Sequence, residues 1–192
     1  MLETLSGFSI IEWIGLITGV IYVVLSARNR IECWYFGIIS CACIAYHDFL
    51  GGLQLYSDGI LQIFYIIMGF IGLARWRNVK VTFDAKFLTH ILIILIGILV
   101  SLIYGYLMSA FSNAAFPRVD AFTTVFSIIA TIFLVNRQVS AWLYFVIIDL
   151  VMTYLYYVRG WELYALLYMI FTAFAIYGSY NWLRLFRQNL NN

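Results

Sequence analysis

The sequence predicts an all-α integral membrane protein: seven transmembrane helices arranged 3+1+3, two parallel three-helix repeats joined by a linker helix. Three observations predict it. Hydrophobic residues make up 65% of the 192-residue chain and charged residues 10%, with a mean hydropathy of +0.95. A soluble domain carries roughly 25% charged residues. The apolar residues fall in unbroken runs long enough to cross a bilayer, and those runs recur at a fixed offset.

Composition also excludes classes. Nine acids and eleven bases cannot cover the surface of a soluble globule. A net charge of +2 leaves no basic footprint for a nucleic-acid partner. Cys33, Cys41 and Cys43 are odd in number and lie in one apolar stretch. Without further ligands beyond His47 they form neither a disulfide framework nor a zinc site. No Lys or Arg precedes the first apolar run and no cleavage site follows it, so no signal peptide is expected.

A hydrocarbon core of about 30 Å asks for roughly 20 apolar residues per helix. The first span, Ile10–Ala27, ends at Arg28-Asn-Arg-Ile-Glu32. The second, Cys33–Leu50, closes at His47-Asp48 with Gly51-Gly52, and the third, Leu55–Ala74, at the stretch from Arg75 to Lys86. The fourth, Phe87–Ala110, stops before Asn113 to Asp120; the fifth, Ala121–Val135, stops at Asn136-Arg137-Gln138. The sixth, Ala141–Val158, turns at Arg159-Gly160 into the seventh, Trp161–Leu183. These runs lack the period-2 alternation of a membrane barrel. Short loops make neighbouring helices antiparallel.

The bases give an orientation. On the side of the N-terminus lie Arg118 and Arg159; the other side receives the remaining nine, including Arg28, Arg75, Lys86 and Arg137. By the positive-inside rule the N-terminus is outside and the C-terminus cytoplasmic.

The chain forms a single membrane domain, residues 1–192, with an internal repeat at offset 108. Glu12 falls on Asp120, Trp34 on Trp142, Tyr46 on Tyr154, and Gly52-Leu-Gln-Leu-Tyr56 on Gly160-Trp-Glu-Leu-Tyr164. After a two-residue gap Gly72 and Trp76 meet Gly178 and Trp182. The first repeat is 10–76, the linker helix 87–110 and the second repeat 120–183. A three-helix unit reverses direction and the linker restores it, so the copies are parallel. Such folds bind substrate near the midplane, between repeats.

Asp149 carries the sharpest functional signal. It lies deep in the sixth span with no other charge nearby, where an ionisable group costs at least about 2.5–3.5 kcal/mol. A cationic substrate, cavity water or a helix–helix hydrogen bond must compensate. Trp142, Phe145, Asp149 and Tyr156 fall on one helical stripe. Aromatic faces ending in a carboxylate suit a flat organic cation; ordinary packing is the alternative. On the third helix Gln62, Tyr65, Gly69 and Gly72 share a face, part cavity and part packing seam. Tyr164, Tyr168 and Phe171 answer on the seventh, and Trp34 mirrors Trp142 on the second. Trp13, Trp76, Trp161 and Trp182 read as an aromatic belt. Glu12, Asp58, Asp120 and Glu162 mark outer helix ends. The bases from Arg75 to Lys86 set topology.

Leu55-Tyr-Ser-Asp-Gly-Ile-Leu-Gln-Ile-Phe-Tyr65 continuing to Gly72 and Trp76, with Asp120-Ala-Phe-Thr-Thr-Val-Phe-Ser127 and Trp142, resembles the corresponding segments of PnuC-type vitamin transporters. The resemblance covers nearly the whole chain. It implies a full-length relative of the SWEET sugar-transporter architecture in the bacterial inner membrane. It further implies facilitated diffusion of an unphosphorylated vitamin, trapped by a cytoplasmic kinase. Gln62 matches a substrate-contacting Gln of that family. Nicotinamide riboside members resemble one another in a Trp-x-x-Trp pair, whereas this chain has Trp142-Leu-Tyr-Phe145. That departure tilts the expectation toward a thiamine-transporting, PnuT-like member, with nicotinamide riboside the alternative. Riboflavin, also a family substrate, is neutral and does not suit a carboxylate.

Enzyme signatures are missing: there is no His-Glu-x-x-His, Gly-x-Ser-x-Gly or Walker motif, and no cofactor is expected. Nothing resembles a channel filter. A seven-helix receptor or scaffold is the rival class. Partners are the vitamin, the lipid bilayer and the functionally linked kinase; the sequence leaves homo-oligomerisation open.

Overall fold

The computed structural model describes residues 9–50, 56–83, 87–111, 116–160 and 162–190. Gly52–Leu55 of the repeat, Lys86, Asn113 and Trp161 lie outside the described residues. Seven helices follow in order: α1 Ile10–Ala27, α2 Cys33–Leu50, α3 Tyr56–Arg75, α4 Phe87–Phe111, α5 Pro117–Val135, α6 Ser140–Val158 and α7 Glu162–Leu190. Each of α1 to α6 is long and apolar enough to cross a membrane. This is an all-helical membrane protein.

Two helix ends differ from the sequence reading by more than one residue. The α5 helix starts at Pro117 rather than Ala121, because proline suits the first helical position, where an N–H has no partner anyway. The α7 helix continues past Leu183 to Leu190. Its 29 residues span about 43 Å at 1.5 Å per residue, more than the roughly 30 Å core. Exposed Arg184 and Arg187 lie on that extra length.

The chain divides into two compact units. The first comprises residues 1–81, 135–137 and 177–192. Here α1 opens with a capping box: Ser9 Oγ accepts from Glu12 N–H at 3.3 Å, and Ser9 N–H donates to Glu12 Oε2 at 2.7 Å. Gly15 and Gly19 let α2 approach closely, against Cys43 Cβ and Ser40 Oγ. Ser40 Oγ donates to Gly15 O at 2.8 Å, so Ser40→Ala is expected to lower stability by about 1 kcal/mol, measured by thermal unfolding in detergent. On the other side of α2, Gly69 of α3 receives Ile38 and Gly72 receives Trp34. Trp34 meets Trp76 edge-on at 5.2 Å, and Trp76 meets Trp182 at 5.4 Å.

Trp76 and Trp182 are therefore not an aromatic belt. Trp182 is 0% exposed, and its Nε1 donates to Ser26 O at 3.1 Å. Asn181 Nδ2 donates to Ala27 O at 3.0 Å. These bonds attach the second half of α7 to the rest of the first unit. An indole at a span end satisfies its N–H as well on a helix C-terminal carbonyl as on water.

The second unit comprises residues 82–134 and 138–176. The α4 helix buries only Gly97, Ser101 and Gly105. Gly97 lies against Phe126 and Ile129, and Gly105 against Ala121 and the Arg118 backbone. The apolar remainder, such as Leu95, Leu99 and Leu102, is exposed, as expected where lipid is the solvent. Phe126, Ala130, Tyr144 and Ile148 form the core. Hydroxyls satisfy themselves on their own helices: Ser101 donates to Gly97 O and Thr153 to Asp149 O, both at 2.7 Å.

Shifted by the 108 residues that separate Asn29 from Arg137, the ends of α1 and α2 fall within one residue of those of α5 and α6. Among the described residues, the non-glycines with positive φ are these two, at 58° and 56°.

Candidate functional site

In the second unit, α6 turns its predicted stripe inward. Trp142 and Asp149 are buried and Phe145 and Tyr156 half-buried, while Leu143, Ile147, Leu150, Tyr154 and Tyr157 are exposed. The two faces differ because alternate positions at helical spacing choose between protein and lipid. Trp142 and Phe145 rings lie 6.2 Å apart. Asp149 is 8% exposed, and its carboxylate makes no hydrogen bond or ion pair among the described residues. Its own carbonyl accepts from Thr153. A buried carboxyl in that state is stabilised by a cationic or protic partner or by its own proton.

One helical turn and more away, Tyr156 lies nearly parallel to Tyr164 and Tyr168, each at 5.3 Å. Tyr168 meets Phe171 edge-on at 5.7 Å. The structure thus brings Tyr156 and Tyr168 together, as a tyrosine stack.

In the first unit, Gln62 and Tyr65 are half-buried on α3. Gln62 makes no side-chain hydrogen bond among the described residues. Gly69 and Gly72, from the same face, are a packing seam against α2. Trp34 is 2% exposed, wedged among Tyr22, Gly72 and Trp76. Its ring is sealed from any ligand in this conformation, because glycine at 72 admits the indole where a side chain would exclude it.

Some residues were missed. Tyr22 of α1 packs on Gly37 and faces Cys33, Cys41 and Tyr65. Its signal was the i, i+4 run Thr18, Tyr22, Ser26 on one face of α1. His90 Nδ1 lies 3.2 Å from Tyr144 Oη, joining α4 to α6. Neither stood out in isolation, because each gains meaning only from its neighbour on another helix.

The outer-end acids fare differently. Glu12 is committed to the α1 cap and to His47 Nε2 at 3.3 Å. Asp48, which had no assigned role, is buried near the end of α2, with Asp58 close enough to act on it electrostatically. Outside the spans, Arg30 and Glu32 pair at 2.9 Å. The hydrogen bond holds the Glu32 carboxyl below its usual range and raises the arginine; both are exposed, so the pair adds little stability. Burial pulls the Arg137 guanidinium below its usual value.

Comparison with known proteins places this arrangement. The sequence model of the family described as nicotinamide mononucleotide transporter matches residues 9–184. The chain belongs to this family. Among nicotinamide mononucleotide transporter family relatives, the chain is 24% identical to the nicotinamide riboside transporter PnuC of Escherichia coli, covering 93% of this chain and 87% of that protein. It is 23% identical to the Neisseria mucosa nicotinamide riboside transporter PnuC, over 92% and 73% of the two chains. The crystal structure of the vitamin B3 transporter PnuC superposes with a TM-score of 0.75 at 22% identity, covering 93% of this chain and 82% of that one. At that identity the likeness establishes the fold. The relatives are named as transporters, not enzymes, and the chain is a multi-pass membrane transporter of their family.

Proposed function

We propose that the chain takes up nicotinamide riboside across the bacterial inner membrane by facilitated diffusion, with its N-terminus outside. The observation that carries the reading is Asp149, buried on the inward stripe of α6 and unpaired among the described residues, within a chain whose relatives are named for nicotinamide riboside. A pyridinium ring bears a permanent positive charge, which a desolvated carboxylate attracts strongly, and aromatic faces beside it add cation–π attraction of about 0.5–2 kcal/mol each. We place the substrate against Trp142, Phe145 and Asp149 of the second unit, with Tyr156 and Tyr168 lining its path; in the first unit Gln62 and Tyr65 are separate candidates for substrate contact.

The same chemistry argues for the riboside over the mononucleotide in the family's description. A phosphate needs arginine or lysine, and the bases of α1 to α6 stand at helix ends: Arg75 closes α3 and Arg118 opens α5. Phosphorylation by a cytoplasmic kinase would then trap the product, because the added negative charge opposes Asp149. The coincidence of helix ends at offset 108, and the matching positive φ at Asn29 and Arg137, support the 3+1+3 repeat plan.

The exchange of the second Trp for Phe145, which pointed toward thiamine, finds no support among these relatives. Phenylalanine keeps an aromatic face for a cation, so the exchange does not by itself change the ligand class. Titration calorimetry is expected to rank nicotinamide riboside above both thiamine and nicotinamide mononucleotide. Tighter thiamine binding would overturn the substrate while leaving the family standing. Saturable uptake into proteoliposomes is the expected transport result, and binding without flux would make the chain a receptor.

A further inference from the structure

At the basic end of the first unit, one side chain fastens the turn after α5 to α1 and α3. Arg137 donates from Nη1 to Trp76 O at 2.9 Å and to Val79 O, and from Nη2 to Asn29 Oδ1 at 2.7 Å. Its guanidinium carbon lies 5.0 Å from the centre of the Trp76 ring. All of these groups belong to the first unit, which includes the turn residues 135–137.

Three features mark this as more than a structural tie. Asn29 and Arg137 stand in equivalent turns of the repeat and bond to each other, each in the left-handed region at φ 58° and 56°. Asparagine tolerates that conformation; arginine, with no short polar side chain to bond locally, holds it at a steric cost. Strain of this kind collects at switch regions. Second, every acceptor on Arg137 is neutral, two main-chain carbonyls and one amide, so water competes with each. Third, the closed packing leaves polar atoms unserved. Trp34 Nε1 and Arg137 Nε are buried with no hydrogen-bond partner among the described residues. Opening would hydrate both donors. The bonds made when shut are thus set against the hydration regained on opening, the balance a two-state element needs.

We infer that Arg137 and Asn29 form the latch of a gate at the basic end of the transporter: made, it holds the 135–137 turn on the ends of α1 and α3, and broken, it opens that end. Arg137 acts here through the turn it positions and not by touching substrate. The inference deepens the transporter reading and rests on it, but not on the choice of vitamin.

Cys33 supplies a native reporter. It is 0% exposed, opens α2 just after the Asn29 turn, and lies within electrostatic reach of Arg137. In a Cys41→Ser, Cys43→Ser background, purified protein in detergent is treated with a polar maleimide. Asn29→Gly and Arg137→Ala are each expected to speed Cys33 labelling at least fivefold. Arg137→Lys, which keeps the charge but loses the fork, should fall between. The double variant, Asn29→Gly with Arg137→Ala, should label no faster than Arg137→Ala, because both remove one shared interaction. Should Arg137→Ala fail to fold, Asn29→Gly, which removes the side-chain bond and suits the φ of 58°, carries the test. Unchanged labelling in a variant that elutes and unfolds like the parent would overturn the latch. So would faster labelling accompanied by loss of a cooperative unfolding transition, since that is general loosening. None of these readings uses a vitamin, so they stand or fall separately from the titration.

Discussion

Replacing Gly72 by leucine is expected to stop folded protein from accumulating, and replacing it by alanine to cost about 1–3 kcal/mol of stability. A Cβ at Gly72 would stand 2.5 Å from Trp34 Cδ2 and Cζ2 and closer still to Cε2. The indole cannot step aside, because Tyr22 and Trp76 rings flank it at 5.9 and 5.2 Å. Fluorescence-detected size exclusion and thermal unfolding read the effect. Adding Trp34→Phe to Gly72→Ala should recover part of the loss by making room. Gly160→Ala is the contrasting control: its φ is +73° with nothing within 4 Å of a new Cβ, so the cost, about 1–2 kcal/mol, comes from backbone conformation alone. A stable Gly72→Ala protein would show that the tryptophan cluster repacks freely.

Asp149→Asn is expected to weaken nicotinamide riboside binding at least tenfold, equivalent to about 1.4 kcal/mol, while the unfolding temperature stays level or rises. The amide has the shape of the carboxylate, so packing is kept. The buried charge, unpaired among the described residues, disappears, which relieves its desolvation cost. Weaker binding without weaker folding is the signature of a residue held at some expense for function. Calorimetry and thermal unfolding on one preparation decide it; unchanged affinity would assign Asp149 to helix packing.

The helices were legible because lipid imposes one rule on every span: about 20 apolar residues with all backbone polar groups bonded within the helix. Hence α1 ends and α2 begins on either side of the charged stretch Arg28 to Glu32 that interrupts the apolar run. The inward stripe of α6 was legible for a related reason, since Asp149 cannot face lipid and helical periodicity carries Trp142 and Phe145 round with it. Trp76 and Trp182 were misread. Their place near span ends suits a belt and a core equally, and only the carbonyl of Ser26 and the neighbouring indoles choose between them. Tyr22, His90 and Arg137 stayed silent for the same reason: each acts through a partner far away in sequence.

Composition and charge spacing by themselves determined that this is a helical membrane protein, where its helices run, and which single acid is out of place in the apolar interior. Those properties follow from transfer energies, which add up along the chain without reference to neighbours. The tertiary structure alone decided that Gly72 is a socket for Trp34, that Tyr156 and Tyr168 stack, and that Arg137 spans 108 residues to reach Asn29. Such facts depend on directional contacts between helices, and direction is what a one-dimensional pattern of hydropathy does not contain.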